Sequence, residues 1–235
     1  MLKKYNNVLS DFELGILKTW FDEALAKTGF ELKFSFEDPY YDRDKDVFKI
    51  KHKLADPHHP DSQIYSMERT LVPNDQKYRI GTLINKITGK NFDFVKNEGM
   101  YYVRVRIPSA VHIDEVYIGD NFISSKGFTY LIPLTYSDNI ATVAWKNIYD
   151  KISDMNEDKM HYLHKVKPTE EPKEYPDEIK AMLSHCIEVA GGWELENYVT
   201  WEKGSLIEFC AGQVHCSSNF RPYHNYKDYI LWHIV

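Results

Sequence analysis

Residues Tyr102 to Ile107, YVRVRI, alternate in character with a period of two, the pattern of a strand with two unlike faces. The same idiom continues to the C-terminus. Phe128 to Tyr136 (FTYLIPLTY) reads as a buried strand, with Pro133 at an edge or a bend. Ile140 to Ile148 (IATVAWKNI), Trp193 to Trp201 (WELENYVTW), Ser205 to Ser218 (SLIEFCAGQVHCSS) and Tyr226 to Val235 (YKDYILWHIV) add further strand-length runs. Ala211-Gly212 breaks the longest of them. So many short strands must stack as two sheets or close on themselves to bury their apolar faces.

Helices precede the strands. Ser10-Asp11-Phe12-Glu13 is a capping box, in which a Ser side chain and a Glu side chain satisfy each other's backbone donors. Phe12, Ile16, Leu17, Trp20, Phe21, Ala24 and Leu25 recur at helical spacing, and Gly29 is placed to end the helix. Two β-like pieces, ELKFSF and DVFKIK, and a loop over Ala55 to Ser62 follow. A second helix is predicted from about Asp75 to Thr88, closed by Gly89. A third runs from Asp177 to Ala190, between Pro176 and Gly191-Gly192. The charged stretch Tyr149 to Tyr175, with Pro168 and Pro172, reads as an insertion or lid. The expectation is an α+β fold with a β-barrel or jelly-roll core in a single domain over 1–235. Residues 1–91 would be mainly helical support and loops, and 92–235 the core with an insertion at about 149–190.

Composition narrows the function classes. The 43% apolar and 14% aromatic residues suffice for a packed core. A net charge of −6 argues against a broad basic surface for nucleic acid. Cys186, Cys210 and Cys216 show no CxxC spacing, and an odd thiol count fits a reducing compartment. No run approaches a membrane span, and MLKKYNNVLSDF holds no signal-peptide core. The expectation is a cytoplasmic protein with neither a membrane nor a nucleic acid as partner.

The chemistry lies at His112-Ile113-Asp114. On a strand, residues i and i+2 point to one side, so one segment can offer an imidazole and a carboxylate to one metal ion. His215 is the candidate second imidazole. Two imidazoles and a carboxylate leave three positions open, the arrangement used for non-haem Fe(II) oxygen chemistry. With ten His in the chain, one His-x-Asp is expected by chance. Indeed His59-Pro60-Asp61 is another, in a proline-rich loop with no strand leading into it. His112 and His215 each close a strand-like run. Cys216 adjoins His215 but points to the opposite face of the same strand.

The segment Trp201 to Phe220, WEKGSLIEFCAGQVHCSSNF, resembles the distal-histidine hairpin of the 2-oxoglutarate/Fe(II)-dependent dioxygenases, and VHIDEV resembles that superfamily's HxD. The resemblance covers about Tyr101 to Val235 and is nearest to prolyl-4-hydroxylase-like, phage and bacterial members. It implies a double-stranded β-helix (jelly-roll) core with N-terminal flanking helices. It further implies His112, Asp114 and His215 as iron ligands, with Fe(II), 2-oxoglutarate and O2 as cofactors. A basic residue beyond the distal His would pair with the far carboxylate of 2-oxoglutarate. Lys227, at the start of the final strand, is preferred to Arg221, which lies in the turn but offers a bidentate fork. Thr129 and Tyr130 are candidate hydroxyl donors to the same carboxylate, and Tyr102, Arg104 and Arg106 share a face proposed to line the pocket. The implied reaction is hydroxylation of a peptide, amino acid or small metabolite with release of succinate and CO2. Asp114 favours this, since halogenating relatives carry a small residue there. The rivals are a cupin-like metal-binding jelly roll, which would bring an HxH cluster this chain lacks, and a non-enzymatic β-sandwich binding module exploiting Trp145, Trp193, Trp201 and Trp232. Ser35 to Ser66 and Tyr149 to Tyr175 are where substrate contacts are expected.

Overall fold

The structure, a computed structural model, describes residues 1–27, 40–42, 47–50, 67–93, 99–106, 108–109, 111–114, 116–118, 121–124, 127–149, 174–186 and 193–234. In chain order it holds β1 (Lys3–Tyr5), α1 (Asp11–Lys27), β2 (Tyr40–Asp42), β3 (Val47–Ile50), β4 (Met67–Leu71), α2 (Asn74–Thr88) and β5 (Met100–Val105). Then come β6 (Val116–Ile118), β7 (Asn121–Ser124), β8 (Phe128–Pro133), β9 (Ser137–Ile148), α3 (Asp177–Met182), β10 (Leu195–Trp201), β11 (Leu206–Cys210), β12 (Gln213–Ser217) and β13 (Lys227–Ile234).

The strands form an eight-stranded sheet in the order β1-β11-β8-β13-β5-β4-β3-β2, a three-stranded sheet β10-β9-β12, and the ribbon β6-β7. All described pairings are antiparallel. Residues 1–91 were expected to be mainly helix and loop; they also supply β1 to β4, half of the large sheet. MERTL, which forms β4, carries no clean alternation because its place comes from backbone pairing with β5, Met67 opposite Val105 and Leu71 opposite Tyr101. The piece ELKFSF, Gly29, the His59-Pro60-Asp61 tripeptide and most of Tyr149 to Tyr175 lie outside the described residues.

β13 sits mid-sheet and is covered on both sides, which explains its near-continuous apolar run. Ile230, Trp232 and Ile234 face the helices with Met100 and Tyr102 of β5 and Tyr130 and Ile132 of β8. The opposite faces, with Tyr229, Leu231, Val103, Val105, Leu131, Ile207 and Phe209, pack against Ile140, Ala144, Val199 and Trp201 of the small sheet. α3 covers the outer side of that small sheet, where Ile179 and Leu183 meet Val143, Trp145 and Trp193.

The capping box forms as expected: the Ser10 N–H donates to Glu13 Oε2 at 2.7 Å, and the Glu13 N–H donates to Ser10 Oγ at 3.3 Å. The inward stripe of α1 is Leu14, Leu17, Phe21 and Leu25. Phe12, expected to be inward, is 78% exposed, because the stripe that meets the sheet runs through Leu14 instead. Each of these buried side chains contributes roughly 1.5–3 kcal/mol of apolar burial. α2 buries Ile80 and Ile84 and ends at Gly89, whose φ of +69° lets its N–H bond the Asn85 carbonyl without side-chain strain.

Candidate metal centre

The centre is assembled by backbone first. His112 and His215 form an antiparallel bridge, each N–H donating to the other's carbonyl at 2.8 Å. The Asp114 N–H donates to the Ala211 carbonyl at 2.8 Å, so the HxD segment is fixed alongside the β11–β12 turn. This pairing brings the ligand atoms of His112, Asp114 and His215 within 4.8 Å of one another. The two imidazole rings lie 4.3 Å apart between centroids.

Orientation follows from hydrogen bonds. His215 Nδ1 lies 2.8 Å from the Gln213 carbonyl, which can only accept. The proton is therefore on Nδ1 and the lone pair on Nε2, which lies 3.6 Å from Asp114 Oδ2. His112 Nε2 lies 3.7 Å from Asp114 Oδ1. The two imidazoles thus address the two oxygens of one carboxylate. Phe209 packs against His215 at 4.4 Å between ring centroids and closes that side.

Burial is the largest influence on both groups. It depresses the His215 pKa to about 4, with the neighbouring His112 acting in the same direction. For Asp114 burial alone would raise the pKa; His215, His233, His112 and the Thr129 hydroxyl together outweigh it and hold the carboxyl below its usual range. The arrangement sets the imidazoles of His112 and His215, the latter held neutral by its burial, around an ionised Asp114 carboxylate, a donor set suited to a divalent cation.

Two residues in the centre were not singled out from sequence. His233 Nδ1 lies 3.8 Å from Asp114 Oδ2 and 2.9 Å from Thr129 Oγ1. It faces inward on β13 directly opposite Thr129 of β8. Tyr229 shares that inward face; burial raises the pKa of its phenol, and the Asp114 charge raises it further. Along YKDYILWHIV the alternation puts Lys227, Tyr229, Leu231 and His233 on one side, but it does not say which side meets the centre.

Lys227 is 4% exposed. Its Nζ lies 4.4 Å from the Trp201 ring centroid and 5.5 Å from those of Phe220 and Tyr229. Among the described residues no carboxylate pairs with it. Burial pushes its pKa down to about 7, which the Cys216 thiol only partly offsets. Arg221 instead donates from Nη1 to the Arg106 carbonyl at 3.2 Å.

Of the remaining candidates, Thr129 is in the centre, donating to Asp114 Oδ2 at 2.7 Å. Tyr102, Arg104 and Tyr130 are not, which corrects the expected pocket-lining role of the first two and the expected carboxylate-binding role of Tyr130. Tyr102 packs edge-on against Phe21 of α1 and donates to Gln76 Oε1 at 2.8 Å. Arg104 pairs in bidentate fashion with Asp228 at 2.7 and 2.8 Å, on the helix side of β13. Tyr130 accepts from Lys90 Nζ at 2.8 Å, also on the helix side.

No protein-family model and no curated protein matches the sequence. Solved structures do. The 2-oxoglutarate-dependent carbocyclase SnoK of nogalamycin biosynthesis matches with a TM-score of 0.51 at 12% identity, over 99% of this chain and 78% of that one. HygX from Streptomyces hygroscopicus, solved with nickel and 2-oxoglutarate, matches at 0.47 and 7% identity over 99% and 81%. A Pseudomonas putida prolyl-4-hydroxylase matches at 0.42 and 11% over 99% and 91%. At these identities the likeness is one of fold, and SnoK carries it: the chain shares the antiparallel β fold of that non-haem, 2-oxoglutarate-dependent carbocyclase. No described helix is long and apolar enough to cross a membrane.

Proposed function

We propose that this chain is an Fe(II)- and 2-oxoglutarate-dependent oxygenase, with its two facing sheets as the halves of a double-stranded β-helix. The observation that carries the reading is the convergence of His112, Asp114 and His215 within 4.8 Å. An orienting carbonyl on His215 Nδ1 supports it, since metal-binding imidazoles are held from behind in this way. His112, Asp114 and His215 hold the iron. Lys227, a buried ammonium among three aromatic rings, pairs with the far carboxylate of 2-oxoglutarate; a buried cation without a counter-charge is costly, and an incoming carboxylate relieves that cost. Tyr229, between Lys227 and the Asp114 side of the interior, is placed to donate its hydroxyl to the same co-substrate.

Once bound, the iron supplies oxidative decarboxylation of 2-oxoglutarate to succinate and CO2, coupled to oxidation of a substrate C–H bond. The chain's own part is to hold the ligands, exclude water with Phe209, Trp201 and Phe220, and orient the carboxylates. We read the outcome as hydroxylation of a peptide, amino acid or small metabolite. A complete carboxylate at Asp114 supports hydroxylation over halogenation.

The test is an anaerobic titration with Fe(II) and then 2-oxoglutarate, watching for the visible charge-transfer band of a chelated keto acid, with Asp114→Ala as control. A band in wild type alone is the expected result, with succinate released on admitting O2. Iron binding without the band would instead make this a metal-binding jelly roll of cupin type. No iron binding would overturn the enzyme reading.

A further inference from the structure

On the outer side of the small sheet, away from the iron centre's donors, lies another donor group. Cys186 follows α3 in a turn, its N–H donating to the Leu183 carbonyl at 2.8 Å. Cys216 is on β12 and faces α3 among Val143, Trp145, Ile179 and Leu183. The ligand atoms of His185, Cys186 and Cys216 lie within 4.8 Å of one another, and the two cysteines are 6% and 1% exposed.

Buried free cysteines commonly need no further account, because they pack as small apolar groups. The imidazole beside them does. His185 Nε2 lies 3.1 Å from the Ser109 carbonyl, which can only accept, so Nε2 carries the proton. That leaves the lone pair on Nδ1. His185 Nδ1 is buried and makes no hydrogen bond of regular geometry, and the group beside it is the Cys186 thiol. A buried acceptor without a well-formed partner is uncommon, and a proton-bearing nitrogen tied to a backbone carbonyl is how metal-binding imidazoles are held.

We propose that His185, Cys186 and Cys216 form a second metal site, for a thiophilic divalent cation of the zinc class. Two sulfurs and one imidazole select such ions over magnesium, calcium or manganese, and a Cys2His set with a fourth position open is a known zinc donor set. The donors differ in kind from the two imidazoles and carboxylate of His112, Asp114 and His215, so the two sites sort different ions. They share β12 without sharing a ligand, because His215 and Cys216 point to opposite faces. An ion here fastens the turn after α3 to the strand directly behind His215. The inference stands apart from the oxygenase reading and survives or fails without it.

The test uses Cd2+ as probe on the reduced full-length protein, reading the ultraviolet thiolate-to-cadmium charge-transfer band, which a nitrogen–oxygen site does not give. One Cd2+ per chain with that band is expected in wild type, in Asp114→Ala and in Cys210→Ser. The band should vanish in Cys186→Ala, and in His185→Gln Cd2+ affinity should fall at least about tenfold. Cd2+ should raise the Tm of Asp114→Ala but not of the double variant Asp114→Ala/Cys186→Ala, a comparison that removes the His112–Asp114–His215 donors from the readout. The wild-type titration needs no variant, so absence of the band there overturns the proposal even should Cys186→Ala misfold. Persistence of the band in Cys186→Ala, its loss in Cys210→Ser, or recovery of a Cys186–Cys216 disulfide from protein purified with the metal present would overturn it equally.

Discussion

Thr129 donates its hydroxyl to Asp114 Oδ2 at 2.7 Å, across from the HxD segment and on a different strand. That hydroxyl has one proton, and it is committed to the carboxylate. The 2.9 Å approach to His233 Nδ1 therefore runs the other way, with the imidazole donating to Thr129 Oγ1. A chain of two hydrogen bonds, His233 to Thr129 to Asp114, fixes how the carboxylate presents itself between His112 and His215.

Thr129→Val keeps the shape of the side chain and removes only the hydroxyl. Groups that orient a ligand from behind typically cost 10–100-fold in metal affinity when lost. We expect Fe(II) affinity to fall by about that factor, with far-ultraviolet circular dichroism unchanged. Isothermal titration under anaerobic conditions checks it; an unchanged affinity would mean that the backbone bridge alone sets the centre.

Lys227→Met should separate binding from stability. Removing the ammonium should abolish 2-oxoglutarate binding while Fe(II) binding persists. It should also raise the Tm, because a buried charge with no carboxylate partner among the described residues is replaced by an apolar chain of similar length. Each kcal/mol gained corresponds to roughly 2–4 °C in a chain of this size. Arg221→Met should change neither quantity. Reversal of the two variants' effects would transfer the carboxylate-binding role to Arg221.

The same lysine makes a pH signature. Its pKa in the folded protein is about 7, below the 10.5 of the free side chain. Between those values the unfolded chain holds a proton that the folded one does not, so Lys227's contribution to stability rises with pH across the window. The Tm advantage of Lys227→Met should be full below pH 7 and shrink as pH climbs towards 10. Co-substrate binding needs the ammonium, so the 2-oxoglutarate Kd should be flat below pH 7. It should then rise, by up to about tenfold per unit, until the pKa of the complex, which the bound carboxylate raises. A Kd independent of pH from 6 to 9 would exclude Lys227 as the partner.

Much of this was legible in the sequence because it depends on local pattern. The capping box placed α1, Ala211-Gly212 separated β11 from β12, and the order of HxD and distal His marked the residues that the His112–His215 bridge brings together. Parity was not legible. In β5 the expectation turns Tyr102 and Arg104 towards the pocket; the structure turns them to the helix side and Val103 and Val105 towards the small sheet. Alternation tells inside from outside only when one face meets water. β5 is covered on both, by helices on one side and by the small sheet on the other, so polarity carries no sign there. His233 was hidden for the same reason, one polar residue in an apolar strand buried on both faces. β4 was invisible because backbone pairing, not side-chain pattern, places it.

That corrected parity has its own test in Arg104. Its guanidinium is held 2.7 and 2.8 Å from Asp228, whose side chain is 1% exposed, and Lys18 of α1 reaches the same carboxylate at 3.6 Å. Arg104→Ala leaves a buried carboxylate with that one partly exposed lysine as counter-charge. Breaking a buried pair from one side costs about 3–5 kcal/mol, and Lys18 should hold the loss near the lower end. We therefore expect a fall in Tm of about 6–12 °C at 2–4 °C per kcal/mol. Affinity for 2-oxoglutarate should stay within about twofold of wild type, because Arg104 is on the far side of β13 from Lys227. A variant with the wild-type Tm and a lost co-substrate site would return Arg104 to the pocket and overturn the assignment of faces on which Lys227, Tyr229 and His233 all depend.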